Sequence, residues 1–272
     1  MRAGRNPTRR NRNIGTAKSG HGLANRLVIP EAMSDPRRFW EKLRDPVEIE
    51  VHGFTILVEP CDAGFAHSVT VDDLVRMLGL MPARDLAGLH TVVLRQPTKK
   101  QRILSAVWGR LLYYAEFGER RGPAIIIEAQ RVGGVIGWPR SLTPDDAEEI
   151  ERLRDDGHSV TCDRRWRVQT TLESCRNTQL FRTLPHELGH HVHHTREVEA
   201  PAREGVDQRD ELNDRYFRKP QREREDFAHR YARETVERLA AAGSVPFPRI
   251  VDDVNMKRWK LDRAWFGLAS SP

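Results

Sequence analysis

Two histidines at helical spacing, with a glutamate after the first, set the local fold and chemistry of residues 183–194. His186 and His190 stand four positions apart, and Glu187 follows His186. Residues four apart share one face of an α-helix, so two imidazoles can point at a single ion. Glu187 would lie about 100° round that helix, where its carboxylate can reach a water held by the ion. Two neutral nitrogens beside a carboxylate suit Zn²⁺ with an open coordination position, as in hydrolases.

The residues around this pair predict a helix that packs on a core. Leu180, Leu184, Leu188 and Val192 recur at every fourth position and form an apolar stripe. The two histidines fall outside the stripe, which is where ligands facing a cleft belong. The alternative is a core helix in which the histidine spacing has no chemical meaning.

Two residues of this segment are unusual for a helix. Pro185 requires either a helix that begins near Thr183, with Thr183 as N-cap, or a kink in a longer helix. Gly189 costs about 1 kcal/mol relative to Ala in a helix interior, and it is better tolerated where another element approaches closely.

A third ligand is expected on a later helix. Glu225, Ala228 and Ala232 share one face at i, i+3 and i+7. A carboxylate on a face of small residues can come close to a neighbouring helix, so Glu225 is preferred as the third ligand over Glu223. The alternative is a charged helix whose acids pair with the nearby arginines, which are Arg222, Arg224 and Arg230.

The combined pattern resembles the gluzincin class of zinc metallopeptidases. His186-Glu187-Leu188-Gly189-His190, followed by a helix that carries Glu225, is similar to the minimal gluzincins and the ImmA/IrrE-like proteins. The resemblance covers roughly residues 176–240. A metzincin would need a histidine at position 196, which is Arg. One departure from the ImmA/IrrE pattern is that Glu225 is followed by Asp226-Phe227, where that group has Ala-Asn.

The resemblance implies metal-assisted hydrolysis of a peptide or protein. Zn²⁺ on His186, His190 and Glu225 would lower the pKa of a bound water towards about 7, and Glu187 would act as general base. It also implies a small sheet with one edge that binds an extended peptide. The donor for the developing oxyanion is left open between His229, Tyr216 and the many arginines. An acceptor for each ligand imidazole is expected, and Asp226 is a weak candidate.

The remaining histidines and the cysteines predict ordinary structural roles. His191, His193 and His194 are interpreted as solvated residues at a helix end, where the helix dipole favours them. Cys61, Cys162 and Cys175 are odd in number and widely spaced, which indicates unpaired thiols in a reducing compartment, with Cys175 buried. We therefore expect a cytoplasmic protein.

The chain begins with a basic arm. Residues 1–26 hold seven Lys and Arg residues and no acid, whereas the rest of the chain holds 38 basic and 39 acidic residues, so the net charge of +6 resides in the arm. Residues 1–36 are predicted to be disordered. They could weakly contact nucleic acid or an acidic partner, or serve only as a solubilising extension. The arm has no apolar segment typical of a signal peptide, and no 18-residue apolar run predicts a membrane span.

The remaining residues predict a single α+β domain, with a small mixed sheet, an active-site helix and a following helix that bears Glu225. Alternation and turn signals predict short strands in segments 90–95 and 124–129 and favour a strand in 103–117, whereas 71–80 and 143–155 are predicted to be helices. Segment 47–58 is predicted to be a strand pair or one long strand, and segment 159–171 a polar edge strand or a hairpin. Thr70 is the expected N-cap of the first helix, and Pro144 the first residue of the second. Residues 196–221 are predicted to be a long loop over the cleft.

These inferences lead to a catalytic domain over residues 37–243 and a C-terminal segment, 244–272, that docks on it. The expected function is that of a zinc metallopeptidase. The alternatives are a regulatory ImmA/IrrE-like protease that cleaves a transcription factor, and a non-catalytic metal-binding interaction module.

Overall fold

The computed structural model describes residues 38–39, 43–104, 107–204 and 209–269, and the predicted basic arm, 1–36, lies outside them. One compact unit spans residues 40–272. The strands are β1 (Arg38–Phe39), β2 (Val47–Val51), β3 (Phe54–Val58), β4 (Phe65–Ala66), β5 (Thr91–Arg95), β6 (Gly109–Phe117), β7 (Arg120–Glu128), β8 (Gln130–Arg131), β9 (Val135–Trp138), β10 (Ser159–Cys162) and β11 (Trp166–Gln169). The α-helices are α1 (Val71–Gly79), α2 (Lys99–Leu104), α3 (Pro144–Asp155), α4 (Leu172–Asn177), α5 (Leu184–His194), α6 (Ala200–Arg203), α7 (Arg209–Arg218), α8 (Gln221–Ala241) and α9 (Asp253–Arg258).

The main sheet of this unit is mixed, which confirms the α+β prediction. Its strand order is β6-β7-β5-β3-β2. The three inner strands run parallel, and β2 and β6 are antiparallel to their neighbours. All five residues of β5 are buried, as expected for an inner parallel strand covered on both faces. A second sheet, of order β10-β11-β9, shows that segment 159–171 is a hairpin, the second of its two predicted alternatives.

The two predicted helix starts are confirmed by their caps. Thr70 Oγ1 accepts a hydrogen bond from the Asp73 backbone N–H at 3.0 Å, and the Asp73 carboxylate accepts one from the Thr70 N–H at 3.2 Å. Thr143 and Asp146 form the same reciprocal pair at the start of α3, with Pro144 as the first helical residue. These local signals fix where each helix begins.

The histidine pair lies within a helical run from 172 to 203, so Pro185 belongs to a longer helix and does not mark a new one. Thr183 makes no side-chain capping bond. Instead, residues Thr178–Thr183 form a π-helical segment, and the Leu184 N–H donates to the Gln179 carbonyl five residues back. The wider turn removes the close i−4 carbonyl that would clash with a proline ring in a regular α-helix.

The apolar stripe forms part of the main core. Leu180, Leu184, Leu188 and Val192 are all buried in one cluster with residues of the sheet and of α1. The C-terminal segment adds to that cluster with side chains that include Phe247, Met256, Leu261 and Phe266.

The prediction of a long loop over residues 196–221 is wrong. The described part of this segment is helical, with a second π-helical segment at Thr195–Glu199 followed by α6 and α7. Leu212 and Tyr216 lie on the buried face of α7 and pack in one cluster with Val198. The apolar residues of this segment are few but fall on one face of each helix. The high content of charged residues hid this pattern and led to the prediction of a loop.

Among the described residues, no helix combines the length and the apolar character required to cross a bilayer.

Candidate metal centre

Three predicted ligands meet in the structure. The Nε2 atoms of His186 and His190 lie 3.1 Å apart, and Glu225 Oε2 lies 3.3 Å from the first and 3.4 Å from the second. Donor atoms at 2.0–2.2 Å from a tetrahedral ion are separated by about 3.4 Å. The triangle therefore has the size needed to hold one Zn²⁺ and leave one position open. Glu223, by contrast, is exposed and forms an ion pair with Lys219 at 2.7 Å.

The close approach of α5 and α8 depends on two small residues. A Cβ atom on Gly189 would lie 2.9 Å from Ala228 Cα and 3.0 Å from Ala228 O. Ala228 is fully buried at this crossing. The crossing places Glu225, one turn before Ala228, opposite His186 and His190. The glycine inside the helix therefore has a packing reason, as the sequence suggested.

The Glu187 carboxylate is buried beside the triangle and held by the sheet. Its Oε2 accepts a hydrogen bond from the Leu111 backbone N–H of β6 at 2.7 Å. Burial raises the pKa of the Glu187 carboxyl, against the opposing effects of a positive His186 and of the Leu111 N–H. A carboxyl in this state can accept a proton and release it again.

The charges of the triangle favour a cation. Hydrogen bonds from His186 and His190 hold the pKa of Glu225 well below its usual range. Glu225 is thus an anionic candidate ligand in a half-buried position, and the two imidazoles beside it could coordinate a cation when neutral.

His229 is the further titratable group at the site. It follows Glu225 by one helical turn, and its ring centroid lies 4.4 Å from that of His186. A ring nitrogen of His229 lies within 4.8 Å of the ligand atoms of both His186 and Glu225. The residue is exposed overall, but its ring is partly desolvated by the neighbouring helix, and this desolvation, followed by the charge of His186, lowers the pKa of His229. His229 therefore lies just outside the tight triangle, on its solvent side.

The prediction that Tyr216 could donate a hydrogen bond to a substrate is wrong. Tyr216 is fully buried, and its hydroxyl lies 3.3 Å from the hydroxyl of Tyr113. Its ring packs against His193 and His194. This position is set by the fold of α7, which sequence reasoning did not anticipate.

The solvated interpretation of His191, His193 and His194 is also wrong, because all three are buried. Their Nε2 atoms lie 3.0 Å from the Ala87 carbonyl, 2.9 Å from Glu197 and 3.1 Å from Asn213, respectively. Burial lowers the pKa of His194 to about 4. The helix does not end at His194, so these side chains join it to neighbouring elements.

The hydrogen-bond acceptors expected for the imidazoles of His186 and His190 are not found among the described residues. The Nδ1 atoms of His186 and His190 are buried, and no described residue hydrogen-bonds to either. Asp226 does not supply this acceptor, because its side chain is exposed and pairs with Arg222 at 3.8 Å.

Sequence reasoning missed the residues that fix β6 beside α5. Gln179, fully buried in the π-helical segment, donates to the Trp108 carbonyl at 2.9 Å and to the Glu128 carbonyl at 2.6 Å. A Cβ atom on Gly109 would lie 2.6 Å from Ile126 O and 2.9 Å from Thr183 Cγ2. A glycine at the start of a strand was the available signal for this close approach.

Comparison with family models, with curated protein sequences and with solved structures finds no match to this chain.

Proposed function

We propose that this protein is a zinc-dependent metallopeptidase that hydrolyses peptide bonds in a peptide or protein substrate. The observation that carries the proposal is the triangle of His186, His190 and Glu225, with donor atoms 3.1–3.4 Å apart and a buried carboxylate beside it. Two imidazoles and one carboxylate are a ligand set used by catalytic zinc sites.

Bound Zn²⁺ would supply an acidified water and would polarise the substrate carbonyl. The protein supplies the proton transfers. Glu187 accepts the proton of the attacking water and passes it to the leaving amine, a role that its raised pKa suits. The Leu111 N–H fixes one carboxylate oxygen, which leaves the other oxygen to make the transfer.

His229 is our candidate for the donor to the substrate carbonyl oxygen. It lies on the solvent side of the triangle, near enough to contact a group bound there. Of the candidates considered from the sequence, it is close to the ligands and exposed, whereas Tyr216 is buried. A donor aimed at the developing oxyanion stabilises the transition state more than the ground state.

The position of Glu187 favours a catalytic site over a non-catalytic metal-binding module. A structural site has no use for a buried carboxylate next to the ligands, and burying one costs free energy. The cytoplasm is the proposed compartment, because Cys61, Cys162 and Cys175 are all free thiols.

The test is a Glu187→Gln variant examined for both metal and turnover. We expect wild-type zinc content by elemental analysis, and loss of at least about 100-fold in cleavage of a fluorescence-quenched peptide library. The amide keeps the Leu111 contact but cannot accept the proton. Unchanged cleavage by the variant would overturn the proposed mechanism, and a wild-type protein that retains no zinc would overturn the metal assignment.

A further inference from the structure

We propose that the small sheet β10-β11-β9 carries a nucleic-acid-binding surface. This surface, the arginine patch, is formed by Arg131, Arg140, Arg164, Arg165 and Arg167. All five side chains are exposed. The inference is independent of the proposed protease activity and of the metal site.

The hairpin places two arginines side by side on the outer face of the sheet. Arg165 and Arg167 alternate with Trp166 and Val168, which turn towards the protein. Arg167 is paired with Gly137 of β9, and a Cβ atom on Gly137 would lie 3.8 Å from Arg165 Cδ. The Arg165 side chain therefore lies across the sheet over Gly137, beside Arg167.

The other arginines flank this pair. Arg164 is at the hairpin turn, and the Arg140 carbonyl accepts a hydrogen bond from the Trp166 indole at 3.3 Å. Arg131 lies shortly before β9, at the end of β8, a strand of a different sheet, and its carbonyl accepts a hydrogen bond from the Gly134 N–H at 3.2 Å. The patch thus follows the hairpin and the strand next to it.

The charge of the patch is not neutralised within the described part of the chain. None of its five guanidinium groups forms an ion pair with a described carboxylate, and Asp163 is the acid within the hairpin. Arginines elsewhere are commonly paired. On the adjacent α3, the carboxylates of Glu148, Glu149 and Glu151 are bound by arginines.

The charge of the acidic helix behind the sheet is therefore partly compensated by ion pairs with arginines of α3 and with Arg182. Arg182 binds both Glu149 and Asp156, with atoms 3.0 and 2.8 Å apart. The Asp146 carboxylate accepts hydrogen bonds from Thr143 and from the Trp138 indole. A polyanion that approaches the outer face of the sheet would therefore meet the unpaired arginines first, with the ion-paired carboxylates of α3 on the opposite face.

The chemistry of the face fits a phosphate backbone. Alternate residues of a strand lie about 7 Å apart, so Arg165 and Arg167 can engage different phosphates. Guanidinium groups bind phosphate through two parallel hydrogen bonds. Ser159 and Thr161 share the outer face with the arginines and add hydroxyl groups of the kind that contact sugar and phosphate. A two-stranded ribbon also fits the major groove of DNA.

The test measures binding of the full-length protein to fluorescein-labelled nucleic acid by anisotropy. The probes are a mixed-sequence DNA duplex, the same sequence as single-stranded DNA, and a matched RNA. We expect R164Q/R165Q/R167Q to weaken binding to the preferred probe at least about 10-fold at about 50 mM salt, and to lower the salt dependence.

A charge-matched control separates the patch from net charge and from the basic arm. R203Q/R233Q/R258Q removes three exposed arginines outside the patch and leaves the arm unchanged. We expect the affinity of this control to stay within about threefold of wild type. Thermal unfolding must show that both variants are folded.

Three outcomes would overturn the proposal. Wild-type protein that binds none of the probes at low salt would do so, as would equal losses in the two triple variants. The third outcome is that polyglutamate displaces the labelled probe as effectively as unlabelled DNA does. This result would assign the patch to an acidic protein and not to nucleic acid.

Discussion

At the scale of single residues, the site depends on which side chains reach the triangle of His186, His190 and Glu225 and which bind other partners. Glu225 and Glu223 stand two positions apart on one helix, yet the first lies 3.3 Å from His186 Nε2 and the second pairs with Lys219. His229 reaches the same place from one turn further on. The helical angle of each residue therefore selects its partner, because α8 presents one narrow face to α5.

Replacing Glu225 should remove the metal, whereas replacing its neighbour should not. We expect Glu225→Ala to lower the zinc affinity at least about 10-fold, since one of three protein ligands is lost. Glu223→Ala, the matched control, should bind zinc as the wild type does. Competition with a chromogenic chelator measures both. Full zinc affinity in Glu225→Ala would show that the third ligand lies elsewhere.

Replacing His229 should affect turnover and spare the metal. We expect His229→Ala to lower kcat for library peptides about 100-fold, as loss of an oxyanion donor does, with zinc content unchanged. His229→Gln keeps an N–H donor and should retain more of the rate than His229→Ala. If His229→Ala instead loses zinc, then His229 is a metal ligand and its proposed role is wrong.

At the scale of elements, the site is built where two helices cross at van der Waals distance over a sheet. The Gly189–Ala228 contact sets how near α8 comes, and the Leu111 N–H of β6 holds Glu187 from the other side. The π-helical segment before Pro185 adds Gln179 to this arrangement through two backbone carbonyls. The two histidines are therefore placed by α5, Glu225 by the crossing of α8 with α5, and Glu187 by α5 and β6 together.

A methyl group at the crossing should separate the helices. We expect Gly189→Ala to destabilise the protein by about 1–3 kcal/mol, because the added carbon meets the Ala228 backbone and not a flexible side chain. Zinc affinity should fall as Glu225 moves away. The control is Gly79→Ala in α1, where a Cβ atom meets nothing within 4 Å.

For this control, we expect a neutral or slightly stabilising change, as the helix propensity of alanine predicts. Urea unfolding of both variants gives the free energies. A stability of Gly189→Ala equal to that of the wild type would mean that the crossing is not tightly packed.

At the scale of the whole molecule, buried neutral histidines link stability to pH. Burial lowers the pKa of His67 to about 4, and its Nε2 lies 2.8 Å from the Glu59 carbonyl. His194 behaves in the same way, with a pKa of about 4. Both groups bind a proton more readily in the unfolded chain, whose histidine pKa is about 6.5.

Stability should therefore be greatest above about pH 6.5 and decline as the pH falls towards about 4. The sign follows because the unfolded chain takes up protons over this range while the folded protein does not. We expect the free energy of unfolding at about pH 4.5 to be lower by about 2–4 kcal/mol than at about pH 7. Urea titrations at several pH values measure it, and His67→Gln should flatten the dependence.

A free energy of unfolding that stays constant from neutral pH down to about pH 4.5 would contradict this prediction, because it would mean that these histidines titrate alike in both states.

Local sequence determined the parts of this protein whose cause lies within one or two helical turns. Helix starts at Thr70 and Thr143 follow from side chains that bond to nearby N–H groups. The apolar stripe and the His186–His190 face follow from the helical period. The α+β class and the small-residue face next to Glu225 were predictable for the same reason.

Tertiary structure alone decided the rest. His191, His193 and His194 are buried because α7, the segment around Ala87 and a continuing helix cover them. The Leu111 N–H reaches Glu187 across 76 positions of sequence. Such contacts depend on which distant elements pack together, and no local period encodes that choice. The sequence therefore identified the candidate ligands and the carboxylate beside them, and the packing of α5, α8 and β6 brought them together.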